Sequence, residues 1–348
     1  MTGSRSVISS DDRRAGTPVA EALWITGRDR RPVFGSAVLA CAVALLVGGG
    51  IVAGAFAASW GLFLEARRAA ELAIEYEDSY VAYADQWDSL VMVALCVFPL
   101  LLLVAMVLIA WLLTAQAVTV AHVRERAGEG TDPAPGALTL SALWRRCRPH
   151  LGAAFRVQLL TLVCALVPAL AGLLVLVLLE LEMVPGVVWP TYHDPATVQF
   201  ILVGRILPVV IWALGLVLLA RFSLATAARV ADNSSAMAAM RRSWTLTRTA
   251  RQYTTGIFLL SLVAVAVAFM VLKWLGTYVA HWAGLLMLAT TGDNVWVTGV
   301  LVIITPVAVA LVFLPLALVP MGILLACLRE RLDGGMEEDR APSSAPVG

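Results

Sequence analysis

Six long apolar segments constrain the fold of this chain more than any other feature. Each segment exceeds the roughly 20 apolar residues that a helix needs to cross a bilayer. Only 14% of the 348 residues are charged, whereas soluble domains carry about 25%. The sequence therefore predicts an all-α, polytopic membrane protein with six transmembrane helices. The predicted spans cover residues 34–64, 89–121, 154–181, 198–228, 254–281 and 296–328.

The placement of arginine predicts the orientation of these spans. The loops after the first, third and fifth spans contain no basic residue besides Arg67 and Arg68. In contrast, 20 of the 25 basic residues lie in 1–33, 122–156, 229–253 and 329–348. Cytoplasmic segments of membrane proteins are enriched in Lys and Arg, so both termini are expected in the cytoplasm. Arginine supplies 24 of the 25 basic residues, a usage that favours a GC-rich bacterial genome, and we expect a bacterial cell-membrane protein.

The two ends of the chain differ in composition from its apolar body. Residues 1–16 and 333–348 are rich in charged residues, Ser, Gly and Pro. Segments of this kind cannot bury enough apolar surface to fold alone. We expect them to be disordered cytoplasmic ends that flank a membrane domain over 17–332.

A short motif recurs ahead of every odd-numbered span. Trp24-Ile-Thr-Gly-Arg28, Trp144-Arg-Arg-Cys-Arg148 and Trp244-Thr-Leu-Thr-Arg248 share the pattern Trp-x-x-x-Arg on the side predicted to be cytoplasmic. We interpret the chain as three tandem hairpins, each preceded by an interfacial segment that Trp and Arg anchor at the headgroup level. The alternative is that these residues are simply common at this interface. Hydroxyl residues that can cap a helix precede the motifs, namely Thr17, Thr139 and Ser234 or Ser235.

Charged residues within the predicted spans mark a candidate polar cavity, because such charges are unfavourable in hydrocarbon and most often functional. Arg205 and Lys273 lie at similar depths below the outer ends of the fourth and fifth spans, and Glu180 and Glu182 close the third span on the same side. An Arg205–Glu180 pair would line an outward-facing cavity for an anionic solute or a lipid headgroup. The alternative is that the long basic side chains snorkel to the interface.

The sequence contains no familiar signature of an enzyme, a cofactor site or a metal site. None of the four histidines belongs to His-Glu-x-x-His, and neither Gly-x-Ser-x-Gly nor a phosphate-binding loop occurs. We therefore expect no enzymatic activity, no cofactor and no metal. A formal net charge of +1 provides no field that would recruit nucleic acid.

The expected partners are membrane lipids, together with a membrane-protein partner or a second copy of the chain. Gly50, Gly54 and Ala58 form a row of small residues in the first span. Such rows let helix backbones approach closely. We expect the row to give the first span a central position, with a dimer contact as the alternative.

Two inner-face motifs resemble a known bacterial family. The first motif is Arg241-Arg-Ser-Trp-Thr-Leu-Thr-Arg248, followed by Gly256-Ile-Phe-Leu-Leu260. The second is Leu138-Thr-Leu-Ser-Ala-Leu-Trp-Arg-Arg-Cys-Arg-Pro149. Both are similar to motifs of the membrane-domain family of glycerophosphoryl diester phosphodiesterases and its uncharacterised stand-alone relatives. The resemblance covers about residues 20–332 and implies a six-helix module that serves lipid or envelope metabolism. The soluble catalytic domain of some relatives requires a His-Arg pair. None of the histidines here is followed by Arg, so catalysis does not carry over.

These observations lead to two hypotheses about function. The first is a non-enzymatic scaffold or accessory module linked to envelope or lipid metabolism. The second is a small permease, or a transporter of lipid or anionic solute, that uses the predicted polar cavity. Flux that depends on Arg205 would distinguish the second from the first.

Overall fold

The computed structural model describes residues 17–75, 83, 86–128, 138–187, 197–291 and 294–340, and the regular structure within these ranges is helical. We number the α-helices in chain order. They are α1 (Pro18–Arg28), α2 (Arg30–Val43), α3 (Gly49–Ala58), α4 (Trp60–Glu75), α5 (Trp87–Gly128), α6 (Leu140–Glu180), α7 (Val198–Phe200), α8 (Leu207–Phe222), α9 (Ala225–Asp232), α10 (Ala236–Thr249), α11 (Arg251–Thr291) and α12 (Val295–Arg340). Two π-helical turns, Ala44–Gly48 and Ile201–Ile206, connect α2 to α3 and α7 to α8.

Six helical stretches among the described residues are long and apolar enough to cross a membrane, which confirms the predicted all-α fold with six spans. Most of them extend beyond the predicted apolar segments. Hydropathy marks only the part of a helix that lies in hydrocarbon, whereas the backbone hydrogen bonds of the helix continue into the polar residues on either side. We name them spans 1 to 6 in chain order: Arg30–Ala58, Trp87–Arg126, Leu140–Glu180, Val198–Asp232, Arg251–Thr291 and Val295–Gly334.

The two predicted disordered ends are only partly within the described residues. Residues 1–16 and 341–348 lie outside them. Helix α12 continues to Arg340, which is past the predicted start of the C-terminal tail at residue 333.

The chain divides into two compact units, which are described separately. The first unit comprises Met1–Glu21, Arg146–Leu260 and Leu324–Gly348, and the second comprises Ala22–Arg145 and Ser261–Ile323. Contacts between consecutive spans occur within these units, and the threefold repeat stays a prediction.

Spans 3 and 4 form the hairpin of the first unit. The indole of Trp212 lies directly on Gly172, where a β-carbon would overlap it, and Trp212 Nε1 donates to the carbonyl oxygen of Ala169 at 3.3 Å. Nearer the start of span 3 and the end of span 4, Gln158 Nε2 donates to Thr226 Oγ1 at 2.8 Å. Residue numbers rise along one helix as they fall along the other, so the two spans are antiparallel and in fixed register.

The second unit contains spans 1 and 2, span 5 from Ser261 onward and span 6 up to Ile323. Gly48 on span 1 lies against Leu101 on span 2. Gly276 on span 5 lies so close to span 6 that a β-carbon there would be 2.8 Å from Cα and 2.9 Å from the carbonyl oxygen of Pro306. The backbones of spans 5 and 6 are therefore in contact, which small residues permit.

The row of small residues in span 1 does not make the contact that we expected. Gly50 and Gly54 are exposed, and no atom of a neighbouring helix lies within 4 Å of where their β-carbons would be. The close packing expected of a central helix is therefore not made at this row within the described chain. The alternative, a contact between two copies, remains a prediction.

The three predicted helix caps are confirmed. Thr17 Oγ1 accepts from the amide of Ala20, Thr139 Oγ1 from that of Ala142, and Ser235 Oγ from that of Ala238, each at 3.3 Å. Such side chains satisfy amides that have no partner within the first turn. The caps precede the motif tryptophans by different distances, so the three interfacial segments differ in length.

Two of the interfacial segments are separate helices and one is not. Helix α1 ends at Arg28 and α10 ends at Thr249. The residue after each helix breaks the backbone in nearly the same conformation, with φ −106° and ψ 47° at Asp29 and φ −111° and ψ 47° at Ala250. The second copy continues into span 3 as the single helix α6, with Pro149 inside it. The three predicted interfacial segments therefore join their spans in two different ways.

Candidate functional site

The predicted tryptophan anchors are exposed to similar extents. Trp24 is 39% exposed, Trp144 47% and Trp244 41%. The guanidinium of Arg28 lies 4.9 Å from the ring centre of Trp24, and the ring of Trp144 lies 5.0 Å from that of Trp111. Partly exposed indoles of this kind are typical of membrane interfaces.

The third motif contacts one end of span 4. The ring of Trp244 lies 5.8 Å from that of Phe222 and 5.5 Å from the guanidinium of Arg221. Ser243 Oγ donates to the backbone carbonyl oxygen of Arg221 at 2.7 Å. Ser243 is fully buried, so this bond attaches α10 to the C-terminal part of span 4. Arg148 and Arg248, the other predicted anchors, are exposed.

A cluster of ion pairs, which the sequence did not predict, connects helix ends in the first unit. Arg329 on span 6 is 9% exposed and pairs with Asp232, the last residue of α9. It also pairs with Asp333, one helical turn along α12, at 2.5 Å. A buried charge is unfavourable unless it is paired and hydrogen-bonded, and here two carboxylates neutralise one guanidinium.

Two further pairs extend this cluster. Arg242 of α10 donates to Asp333 at 2.6 Å, and Arg331 donates to Glu21 of α1 at 3.3 Å. We call the set the inner ionic cluster, and it consists of Glu21, Asp232, Arg242, Arg329, Arg331 and Asp333. Three guanidinium groups face three carboxylates, so the cluster connects α1, α9, α10 and α12 without a net charge.

The residues of the predicted polar cavity are all exposed. Glu180, Glu182 and Arg205 belong to the first unit and Lys273 to the second. Arg205 lies in the π-helical turn of span 4. No ion pair connects Arg205 with Glu180 among the described residues, and the cavity itself remains a prediction.

Aromatic side chains connect Tyr83, which lies between spans 1 and 2, to the start of span 6 in the second unit. Tyr83 Oη donates to the carbonyl oxygen of Trp296 at 2.6 Å, and the two rings meet edge to face at 5.5 Å. The ring of Phe63 lies 6.4 Å from that of Tyr83. Tyr83 has a φ of 64°, which bulky residues rarely adopt, so these contacts hold a strained backbone in place.

Span 2 carries an amide buried in the second unit. Gln116 is fully buried, and neither atom of its amide has a hydrogen-bond partner among the described residues. Its side chain occupies the space that a β-carbon would fill at Gly322 of span 6. An amide without a partner in such surroundings is destabilising.

Replacing Gln116 by methionine should raise the free energy of unfolding by about 1 kcal/mol, because a side chain of similar shape removes an unsatisfied amide. The measurement is reversible unfolding of the purified protein in mixed micelles. Gln158→Met is the matched control: it removes the hydrogen bond to Thr226 and should lower the same quantity by about 1 kcal/mol. Equal losses in both variants would contradict this prediction.

The described residues contain no group of three or more His, Cys, Asp or Glu side chains placed to hold a metal ion. Comparisons with protein-family models, with curated proteins and with solved structures give no match. The resemblance to the phosphodiesterase membrane-domain family therefore remains a prediction, as do the expectations about cofactors and partners.

Proposed function

We propose that this chain is a non-enzymatic scaffold or accessory module of the bacterial cell membrane, linked to envelope or lipid metabolism. Its two termini and its three Trp-x-x-x-Arg motifs face the cytoplasm in this proposal. The bias of arginine toward alternate loops supports that orientation. The resemblance to stand-alone relatives of the phosphodiesterase membrane domain supports the link to lipids.

The inner ionic cluster is the observation that carries the proposal. Ion pairs among Arg329, Asp232 and Asp333 join helix ends. The buried hydroxyl of Ser243 joins α10 to span 4 through a hydrogen bond. A transporter needs elements with two arrangements of comparable stability. In the first unit these charges instead stabilise one arrangement, which suits a module that presents fixed surfaces to its partners.

A small permease, or a transporter of lipid or anionic solute, is the second candidate. Arg205 and Glu180 are exposed in the first unit. Arg205 lies in a π-helical turn, a feature that is frequent at functional sites. These observations favour Arg205 as the residue on which to test transport.

Purified protein in liposomes should produce no flux above that of protein-free liposomes. The readouts are release of an anionic dye and flipping of a labelled phospholipid, measured for the unmodified chain and for Arg205→Ala and Lys273→Ala. Arg30→Ala removes an exposed charge outside the predicted cavity and serves as the matched control. Flux that Arg205→Ala abolishes and Arg30→Ala preserves would replace the scaffold proposal with the transporter.

A further inference from the structure

One face of α10 is exposed along the whole helix. Met237, Arg241, Trp244 and Arg248 recur at the i, i+4, i+7 and i+11 spacing that places side chains on one face, and all four are exposed. We call these four residues the α10 stripe. Apolar and cationic side chains alternate along it, a combination typical of helices that lie in the headgroup region.

The opposite face of α10 is attached to the first unit. Ala239 and Met240 belong to a buried cluster with Val157 and Ala225, and Ser243 donates to the carbonyl oxygen of a span 4 residue. These contacts fix the rotation of α10 about its axis. The α10 stripe therefore faces outward in the folded protein, whatever its surroundings.

The arginines of the α10 stripe are available to a ligand. Between Ala236 and Arg251 the chain has four arginines and no Asp or Glu. Arg242 is neutralised by Asp333 at 2.6 Å. Arg241 and Arg248 form no ion pair with any residue that the structure describes, so their positive charges are uncompensated there.

A shallow groove lies beside Arg241. Its volume is about 380 Å³, and it is lined by Ser235, Met237, Ala238, Arg241, Arg242 and Thr245. Guanidinium groups and hydroxyls therefore lie beside the apolar side chains of Met237 and Ala238. Guanidinium binds phosphate through two parallel hydrogen bonds, and these apolar side chains fit the carbon atoms that follow a phosphate in a lipid.

We propose that the α10 stripe and its groove bind the phosphate headgroup of an anionic phospholipid. Arg241 and Arg248 contact the phosphate, Trp244 lies at the glycerol level and Met237 lies against the upper acyl chain. The lipid belongs to the leaflet next to α10, which connects span 4 to span 5 in the chain. This inference deepens the proposed function by naming a lipid class, and it rests on that proposal for its membrane setting.

Binding of dioleoylphosphatidylglycerol to the full chain in detergent tests the proposal, with dioleoylphosphatidylcholine as the zwitterionic comparison. Native mass spectrometry gives the number of bound lipids and the apparent affinity. A surface arginine contributes roughly fivefold to the affinity for anionic lipid. We therefore expect Arg241→Gln/Arg248→Gln to weaken phosphatidylglycerol binding roughly 25-fold. Phosphatidylcholine binding should weaken by a smaller factor, because the choline cation offsets the charge of the phosphate that the two arginines contact.

Arg30→Gln/Arg31→Gln is the matched control, because it removes the same charge from two exposed residues that precede span 1, and it should change the affinity less than twofold. Arg241→Lys/Arg248→Lys keeps the charge and should recover part of the loss. Equal losses in the two Gln pairs, or equal affinity for both lipids, would overturn the proposal. So would displacement of the lipid by millimolar inorganic phosphate, which would indicate a site for free phosphate. Flux through Arg205 would overturn the scaffold instead, and would leave these affinities unchanged.

Discussion

Replacing Gly276 by alanine should lower the free energy of unfolding by about 3 kcal/mol, as severe overpacking of a core does. The added β-carbon would lie 2.8 Å from Cα and 2.9 Å from the carbonyl oxygen of Pro306. These are backbone atoms, so no side-chain rotation relieves the overlap and spans 5 and 6 must separate. Reversible unfolding in mixed micelles measures the loss.

Two other glycines in the same helix serve as graded controls. A β-carbon at Gly284 would lie 2.8 Å from Cγ2 of Val302, a methyl group that a rotation can move, so Gly284→Ala should have an intermediate effect. Nothing lies within 4 Å at Gly256, and alanine there should stabilise the helix by up to about 1 kcal/mol. If Gly276→Ala and Gly256→Ala have the same free energy of unfolding, the backbones of spans 5 and 6 are not in contact.

Replacing Arg329 by methionine should lower the free energy of unfolding by about 3 kcal/mol, because breaking a buried ion pair leaves a charge without its partner. Asp333 would keep Arg242 at 2.6 Å, but Asp232 would lose the guanidinium that neutralises it. The partial exposure of Asp232, whose side chain is 34% exposed, places the expected loss at the lower end of the usual range.

Adding Asp232→Asn to Arg329→Met should recover more than half of that loss, since the carboxylate left alone is then neutral. Arg331→Met is the matched control on the same helix. Its pair with Glu21 is longer, at 3.3 Å, and the Arg331 side chain is 25% exposed against 11% for Arg329. We expect a loss of about 1 kcal/mol or less. If the double variant is no more stable than Arg329→Met, the loss of stability does not come from leaving the Asp232 carboxylate without its partner.

Local chemistry explains the features that the sequence predicted correctly. A membrane span can be recognised from about 20 neighbouring residues. A helix cap can be recognised from a hydroxyl residue three positions before the amide that it binds. Thr17, Thr139 and Ser235 were therefore identifiable from short windows, as were the six spans.

The inner ionic cluster depends on contacts that no short window contains. Arg329 lies 97 residues from Asp232, and Arg331 lies 310 residues from Glu21. The sequence showed Arg329 and Arg331 as charges at a helix end, where solvated arginines are common. Asp333, one turn after Arg329, was the available local signal for a pair, but burial of that pair depends on the packing of distant helices.

Glycine packing was mispredicted for a similar reason. The row at Gly50 and Gly54 is exposed, whereas Gly172 and Gly276, which belong to no such predicted row, make tight contacts. A single glycine opposite Trp212 or Pro306 permits close approach as well as a row does. Which glycine is used depends on the partner helix, and the spacing within one helix carries no information about that.

The π-helical turns of spans 1 and 4 have a consequence for how the chain tolerates changes in length. Such a turn accommodates one residue more than an α-helical turn, at Ala44–Gly48 and at Ile201–Ile206. Deleting one residue elsewhere in a span rotates everything beyond it by about 100°, which turns lipid-facing side chains inward. Deleting one within either π-turn lets the helix rewind as a regular α-helix, with the remainder of the span still facing the neighbours it has now.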